Sequence, residues 1–303
     1  MKFNGFKDIE NYILSSGIRK TVALANAQDD VALGALIHAK RAGVVNAVLV
    51  GDSDKIKKLL INEKENPVDY EIIESADERE AADIACGLVR DGKADIPMKG
   101  LMQTSNFMKA ILNKEMGFFP KGNILSQATV LEYKEENRLM IITDCAVNIT
   151  PDVDAKEKIT ANAVKLAHKL GIEKPNIAFL SAVEKINPKI QSTLDADELT
   201  KRALNGCFEG IGEAYGPMAL DNAISEEAAR HKGIVSKVAG HADILVVPDL
   251  CSGNIFTKGL TFFAHMESAG TLNGSDIPVI MTSRTDTLED KYYSILVAVM
   301  QSL

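Results

Sequence analysis

Short apolar runs alternate with longer amphipathic stretches along most of the chain, and a glycine often closes each pair. TVALANA (21–27) predicts a strand, and QDDVALGALIHAKRAG (28–43) a helix that Gly43 ends. NAVLVGD (46–52) with SDKIKKLLINEK (53–64) repeats the pair, as does DYEIIES (69–75) with ADEREAADIACGLVRDG (76–92). Asp77 or Ser75 suits the N-cap of that third helix, and Gly92 lies just past its end. Such βα units assemble into a mostly parallel sheet covered by helices on both faces.

The middle of the chain departs from this rhythm. ILSQATVLEYK (124–134) and RLMIITDCAV (138–147) are two strands separated by EEN, the pattern of a hairpin. Alternation then resumes through DAKEKITANAVKLAHKLG (154–171), NIAFLSA (176–182), ADILVVPD (242–249) and NIFTKGLTFFAHMESAG (254–270). IPVIMTS and a final helix, TLEDKYYSILVAVMQSL, close it. No low-complexity linker interrupts the pattern, so any domain boundary is structural. The expectation is an α/β protein with a discontinuous first domain (1–141 plus 275–303), a second domain (142–274), and a cleft between them. In open α/β sheets ligands bind beyond the carboxyl ends of strands, so strand tips are the places to look for chemistry.

Composition narrows the partners. A formal net charge of -8 argues against a general affinity for nucleic acid or an anionic membrane. Cys86, Cys145, Cys207 and Cys251 are far apart and form no C-x-x-C pair, which suits free thiols in a reducing cytoplasm better than a disulfide or metal framework. No segment reads as a signal peptide or a membrane span. His38, His168, His231, His241 and His265 are scattered, without metal-ligand spacing. GIGEAYG (210–216) has glycines but neither the preceding strand nor the following helix of a dinucleotide site, and no P-loop is present.

Several predicted strand ends carry polar tips. MKGLMQTSNFMKAILNKE (98–115) offers Lys99 and Gly100 and then Thr104 and Ser105 at a helix start, where free backbone N–H groups suit anions. An ordinary Ser/Thr N-cap explains the hydroxyls equally well, but not Lys99. TDCAVNITPD (143–152) presents Asp144 and Asn148, which also fit turn chemistry. GPMALDNAIS (216–225) presents Asp221 and Asn222, and PDLCSGNIFTKG (248–259) presents Asp249, Ser252, Gly253 and Asn254. In TSRTDTLEDK (282–291), Thr287 and Asp290 fit a capping box and Asp286 an N-cap, whereas Arg284 has no place in that account. Its forked guanidinium suits phosphate or carboxylate.

These blocks, together with LSAVEKINPKIQSTLDA (180–196), resemble in order and over nearly the whole length the phosphate acetyl/butyryltransferases. LSAVEKINPK is more similar to the butyryl branch. The resemblance implies two α/β domains around a cleft, like isocitrate and isopropylmalate dehydrogenases, and a homodimer or higher homo-oligomer. It implies exchange of a short acyl group between coenzyme A and phosphate, with coenzyme A as substrate and no permanent cofactor or metal. Ser283 and Arg284 match the family's Ser-Arg. Asp290, six residues beyond the arginine, matches the acetyl branch's base for the coenzyme A thiol, and Asp286 matches the butyryl branch's aspartate. Lys109 stands nearest an arginine of the acetyl branch. Phosphate and coenzyme A contacts are expected from Lys99, Gly100, Thr104, Ser105, Lys109, Asp144, Asn148, Gly216, Pro217, Asp221, Asn222, Asp249, Gly253 and Asn254.

Three other readings stay in view: a phosphate acetyltransferase, a metal-dependent dehydrogenase on the same fold, and a non-catalytic acyl-CoA or acyl-phosphate binding protein. A covalent acyl-cysteine at Cys145 or Cys251 is the mechanistic rival to direct transfer.

Overall fold

The computed structural model describes residues 2–303. The chain divides into two compact units. A terminal unit joins Phe6–Asn123 to Ala269–Leu303, and a central unit comprises Ile124–Ser268 with the residues up to Gly5. The breaks therefore fall at 123/124 and 268/269, not at the expected 141/142 and 274/275. A break after Ile141 would cut through a strand, Arg138–Thr143, whose whole length pairs antiparallel with Ser126–Tyr133. The hairpin has to stay in one unit.

In the terminal unit the elements run α1 (Phe6–Ser16), β1 (Lys20–Ala25), α2 (Asp30–Arg41), β2 (Val45–Gly51), α3 (Ser53–Asn62), β3 (Glu71–Glu74), α4 (Glu78–Arg90), β4 (Ile96–Lys99) and α5 (Thr104–Ile111). The sheet order is β3-β2-β1-β4, parallel throughout. From β1 the chain winds outward through β2 and β3, then returns to the other side of β1 as β4. Right-handed crossovers therefore place α2 and α3 on one face and α4 on the other. The reversal between β1 and β4 is a topological switch point, the place beyond the strand ends where open α/β sheets bind ligands.

Local signals set the helix starts. Asp29 caps α2 by accepting from the Val31 and Ala32 N–H groups, and Asp77 caps α4 through Arg79 and Glu80. Gly43 and Gly92 follow these helices with positive φ. Asp77, rather than Ser75, is the cap because its carboxylate reaches two orphan N–H groups at once.

The central unit carries β5 (Ser126–Tyr133), β6 (Arg138–Thr143), α6 (Val153–Lys169), β7 (Ile177–Leu180), α7 (Gln191–Leu204), β8 (Ala214–Met218), α8 (Leu220–Ile224), α9 (Glu226–His231), β9 (Ile244–Val246) and α10 (Leu250–Phe262). Its strands lie in the order β5-β6-β9-β7-β8, with only the β5–β6 pair antiparallel. The glycine run 210–216 leads into β8 instead of out of a strand, so it is no dinucleotide turn.

The chain closes with β10 (Ser268–Asn273) and α11 (Leu288–Gln301). The strand expected over 277–283 shrinks to two single bridges, Val279 to Leu272 and Ile280 to Met98. Pro278 has no N–H to extend the ladder, and the chain turns away after Thr282. From Ser294 to Met300 every residue of α11 is buried, so the helix is internal rather than amphipathic. It packs on α1 and α2, and Phe6 stacks on Tyr293 with ring centroids 4.4 Å apart.

Candidate active site

Three segments end together at the switch point of the terminal unit. Lys99 N–H donates to the Ile280 carbonyl at 3.0 Å, and Gly100 N–H donates to the Ala25 carbonyl at 2.9 Å. Asn26 adopts a left-handed φ of 55° and its amide donates to the Leu101 carbonyl. Gln28 Nε2 donates to Asn26 Oδ1 at 2.7 Å, which fixes that amide in turn. The strand tips form a hydrogen-bonded floor.

Lys99 stands on this floor, only 3% exposed. Its Nζ donates to the Gly100 and Met102 carbonyls at 3.3 and 3.4 Å, and no carboxylate among the described residues comes within ion-pair reach. Burial pushes its ammonium down to about 8, helped by the nearby cations Lys291 and Arg284 and opposed by Asp29 and Asp286. A buried lysine with so few acceptors and two cationic neighbours is a place where an anion is welcome.

Lys291 is the residue that the sequence did not single out. In the helical stretch LEDKYYS it reads as one more surface lysine, yet it is 2% exposed. Its Nζ donates to the Ser283 carbonyl at 2.6 Å and to Thr282 Oγ1 at 3.2 Å, which ties α11 to the turn that carries Ser283 and Arg284. The only available signal was its position just before the long apolar run of the helix.

Arg284 itself is exposed, with no partner among the described residues. Ser283 Oγ shares a hydrogen bond with Thr285 Oγ1 at 3.1 Å. Asp286 Oδ2 accepts from the Ser283 N–H at 2.7 Å, closing the turn. Asp290 completes a capping box: Thr287 Oγ1 donates to its Oδ2 at 2.7 Å, and Asp290 N–H donates back to that hydroxyl at 3.0 Å. Both candidate bases thus shape the backbone around Arg284.

Thr104 and Ser105 are exposed in the first turn of α5, but neither is its N-cap. Gln103 holds that position without a side-chain cap, and its N–H donates to Glu78 Oε2 at 2.9 Å. Glu78 also accepts from Asn106 Nδ2 at 3.2 Å. The start of α5 therefore already has an anion of its own, which weakens the case for phosphate there. Lys109 is exposed in the last turn of the same helix.

In the central unit, the neighbouring ends of β6 and β9 hold the next group. Asp144, 3% exposed, accepts from the Ala146, Val147 and Asn148 N–H groups and from Asn148 Nδ2. Asn148 Nδ2 also donates to the Leu125 carbonyl at 2.8 Å. Turn chemistry thus accounts for this pair. Asp249 caps α10 in a capping box with Ser252, and Asn254 Nδ2 reaches the Cys145 carbonyl at 3.4 Å.

Gly253 and Gly216 are packing glycines. A Cβ on Gly253 would stand 2.9 Å from the Asp144 carbonyl oxygen, and one on Gly216 would stand 2.7 Å from Phe179 Cβ. Pro217 follows Gly216 inside β8. Asp221 is exposed and pairs with Lys232 at 3.2 Å. Asn222 is fully buried, and neither atom of its amide has a hydrogen-bond partner among the described residues. It points into the unit and is not presented to a ligand in solvent.

Cys145 is 2% exposed, and burial pushes its thiol far up, so it is protonated at neutral pH and is a poor nucleophile. Among the described residues no group of three His, Cys, Asp or Glu side chains could hold a metal ion, and no helix is long and apolar enough to cross a membrane.

Two α/β units, one carrying a cationic cluster at its strand ends whose Lys99 and Arg284 have no carboxylate partner among the described residues, define a protein built to handle an anionic substrate. Residues 58–299 match the family model described as phosphate acetyl/butaryl transferase. Over 295 residues the chain is 42% identical to a phosphate butyryltransferase of Clostridium acetobutylicum, covering 97% of each chain. It is 38% identical to a phosphate acetyltransferase of Rhizobium meliloti, covering 91% of this chain and 87% of that one. A solved structure of a branched-chain phosphotransacylase from Enterococcus faecalis V583 superposes with a TM-score of 0.82 at 34% identity, covering 93% of this chain and 99% of the other. The chain belongs to the phosphate acetyl/butaryl transferase family and is a phosphate acyltransferase.

Proposed function

We propose that the chain catalyses acyl-CoA + phosphate ⇌ acyl phosphate + CoA on short acyl groups, with butyryl preferred over acetyl. The observation that carries this is the proximity of a buried Lys99 and an exposed Arg284, neither with a carboxylate partner among the described residues. Arg284 supplies the fork and Lys99 the point charge for phosphate. The Clostridium relative is a phosphate butyryltransferase and the Enterococcus one a branched-chain phosphotransacylase, which favours a chain longer than acetyl.

The transfer is direct, in a ternary complex. A free thiol has a pKa of about 8.5, so a positioned carboxylate assists its attack on the acyl phosphate. Asp290 is the first candidate for that base and Asp286 the second. A carboxylate presents two oxygens, so a capping role does not exhaust it. Ser283 donates to the oxygen that becomes negative at the tetrahedral stage.

Release of CoA thiol from butyryl-CoA and acetyl-CoA, with and without phosphate, tests the proposal. Phosphate-dependent release that Arg284→Ala abolishes is expected, faster with butyryl-CoA. A faster acetyl rate would make the chain an acetyltransferase. Release independent of phosphate would make it a thioesterase, and no release from either would favour a binding protein.

A further inference from the structure

The phosphate end of the reaction has a proton problem. When the thiol sulfur bonds to the carbonyl carbon, the bond from that carbon to the bridging phosphate oxygen breaks, and the oxygen leaves with the electron pair. Unassisted, it would depart as the trianion, a far stronger base than the dianion present in neutral water. A carboxylate that has just taken the thiol proton serves the sulfur side of the carbon. The phosphate side needs a donor of its own.

We propose that Lys99 is a further catalytic residue, the general acid that protonates the departing phosphate oxygen, with Lys291 as its positioning neighbour. The proposal rests on the acyl-transfer reading above and assigns it a second proton path. In the direction of acyl-CoA formation, Lys99 Nζ–H gives its proton to the bridging oxygen, and phosphate departs as the monoprotonated dianion. The neutral amine regains a proton from solvent while the thiol's carboxylate returns one. In reverse, the neutral amine takes the proton of the attacking phosphate, and the protonated carboxylate supplies the leaving sulfur.

Geometry carries the assignment. An ammonium has three donors, and Lys99 uses two of them on carbonyls at 3.3 and 3.4 Å, so one is left to direct at a ligand. No carboxylate among the described residues locks it in the charged form. The groups facing it are Lys291 from α11, Arg284 and Asp286 from the turn after Thr282, and Asp29 from the start of α2. The two carboxylates are already engaged, Asp29 with the Val31 and Ala32 N–H groups and Asp286 with the Ser283 N–H. The two cations favour the neutral amine, and Lys291 is held in place by Ser283 and Thr282. An amine that crosses between its forms near working pH suits acid catalysis in both directions. The backbone of Lys99 is fixed by the Ile280 carbonyl, and the residue is only 3% exposed, so its reach is defined.

The test is kinetics of acyl phosphate with CoA across pH, at saturating CoA. For wild type, kcat/KM for acyl phosphate falls as pH rises through about 8, because the acid is lost there. Lys99→Arg keeps the positive charge but cannot release a proton in this range. Its KM for acyl phosphate stays within a few-fold, its kcat drops on the order of 10²–10⁴-fold, and the alkaline fall disappears. Lys291→Gln moves the alkaline fall to higher pH. A Lys99→Arg enzyme with near wild-type kcat, or one that loses only KM, would reduce Lys99 to a binding charge and overturn the proposal. So would a wild-type profile flat through pH 8. Should Lys99→Arg fail to fold, the wild-type profile and Lys291→Gln decide. Absence of any phosphate-dependent thiol release in wild type would mean that the acyl-transfer reading itself had failed, a result visible before any variant is made.

Discussion

Gly100 lies directly against Asn26: a Cβ at position 100 would stand 2.5 Å from the Asn26 carbonyl oxygen and 2.6 Å from that of Ala25. These are backbone atoms at the end of a central strand and cannot swing aside. Gly100→Ala should therefore force β4 away from β1, at a cost of about 1–3 kcal/mol for an overpacked site. Because Lys99 is the adjacent residue, KM for phosphate should rise as well. A lowered urea midpoint with unchanged phosphate kinetics would show that the shift does not reach Lys99.

The two carboxylates near Arg284 separate by substitution. Asp290→Asn keeps an oxygen that accepts from Thr287, so its thermal midpoint should stay near wild type. If Asp290 is the base, kcat falls on the order of 10²–10⁴-fold, whereas Asp286→Asn mainly loosens the Ser283 turn. The opposite pattern, with the large kcat loss in Asp286→Asn, would move the role to Asp286.

Lys99 also ties stability to pH. Its folded-state ammonium is depressed from 10.5 to about 8, so between those values the unfolded chain binds more protons than the folded one. Stability contributed by this group therefore rises as pH climbs from about 8 towards 10.5, and below 8 its full penalty is present. Lys99→Met removes the penalty, and at pH 7 the variant should be more stable by roughly 1–3 kcal/mol. The gap between the two proteins should close at alkaline pH. Denaturation curves at several pH values check this, and a gap that stays constant with pH would contradict it.

Deep in the central unit, Lys156 pairs with Asp195 at 2.5 Å, both side chains nearly fully buried, and Gln191 Nε2 donates to the other carboxylate oxygen at 2.8 Å. Lys156→Met strands a buried carboxylate and should destabilise the protein by about 3–5 kcal/mol. The double variant Lys156→Met with Asp195→Leu should recover most of that loss. Equal destabilisation in the single and double variants would mean that packing, not charge, dominates here.

A covalent route would pass through Cys145. With that thiol buried and held protonated, Cys145→Ala should keep kcat within a few-fold of wild type. Loss of turnover in a variant with an intact circular dichroism spectrum would revive the acyl-cysteine.

Much of the fold was legible because local signals agree with the global arrangement. Asp77, Gly43, Gly92 and the EEN hairpin mark element ends in ways that tertiary context did not override. Within the candidate site, Lys99 and Arg284 stood out because no cap or turn rule uses them, and among the described residues neither has a carboxylate partner. Legibility failed where one residue type serves two purposes. Gly216 and Gly253 resemble ligand-cradle glycines but exist for close packing. Thr104 resembles a cap, but the cap is Gln103, because Glu78 arrives from α4 to satisfy the helix start. Lys291 was missed because its burial goes with the turn that brings Thr282 and Ser283 onto its ammonium, which no local pattern records.

The terminal unit is built from both ends of the chain, and this imposes an order on synthesis. The central unit is complete once Ser268 has left the ribosome, whereas α1 and α2 still lack the helix they pack against. Domains tend to fold as they emerge, so the middle of this protein has the means to fold first while the apolar faces of its beginning wait for its end. Phe6 finds Tyr293, and Lys99 gains Arg284 and Lys291, only after residues 284–293 have been made. A chain broken off shortly before residue 284 would hold a finished central unit while Lys99 still lacked both of its cationic neighbours, so the cationic cluster takes shape only after the rest of the fold has been made.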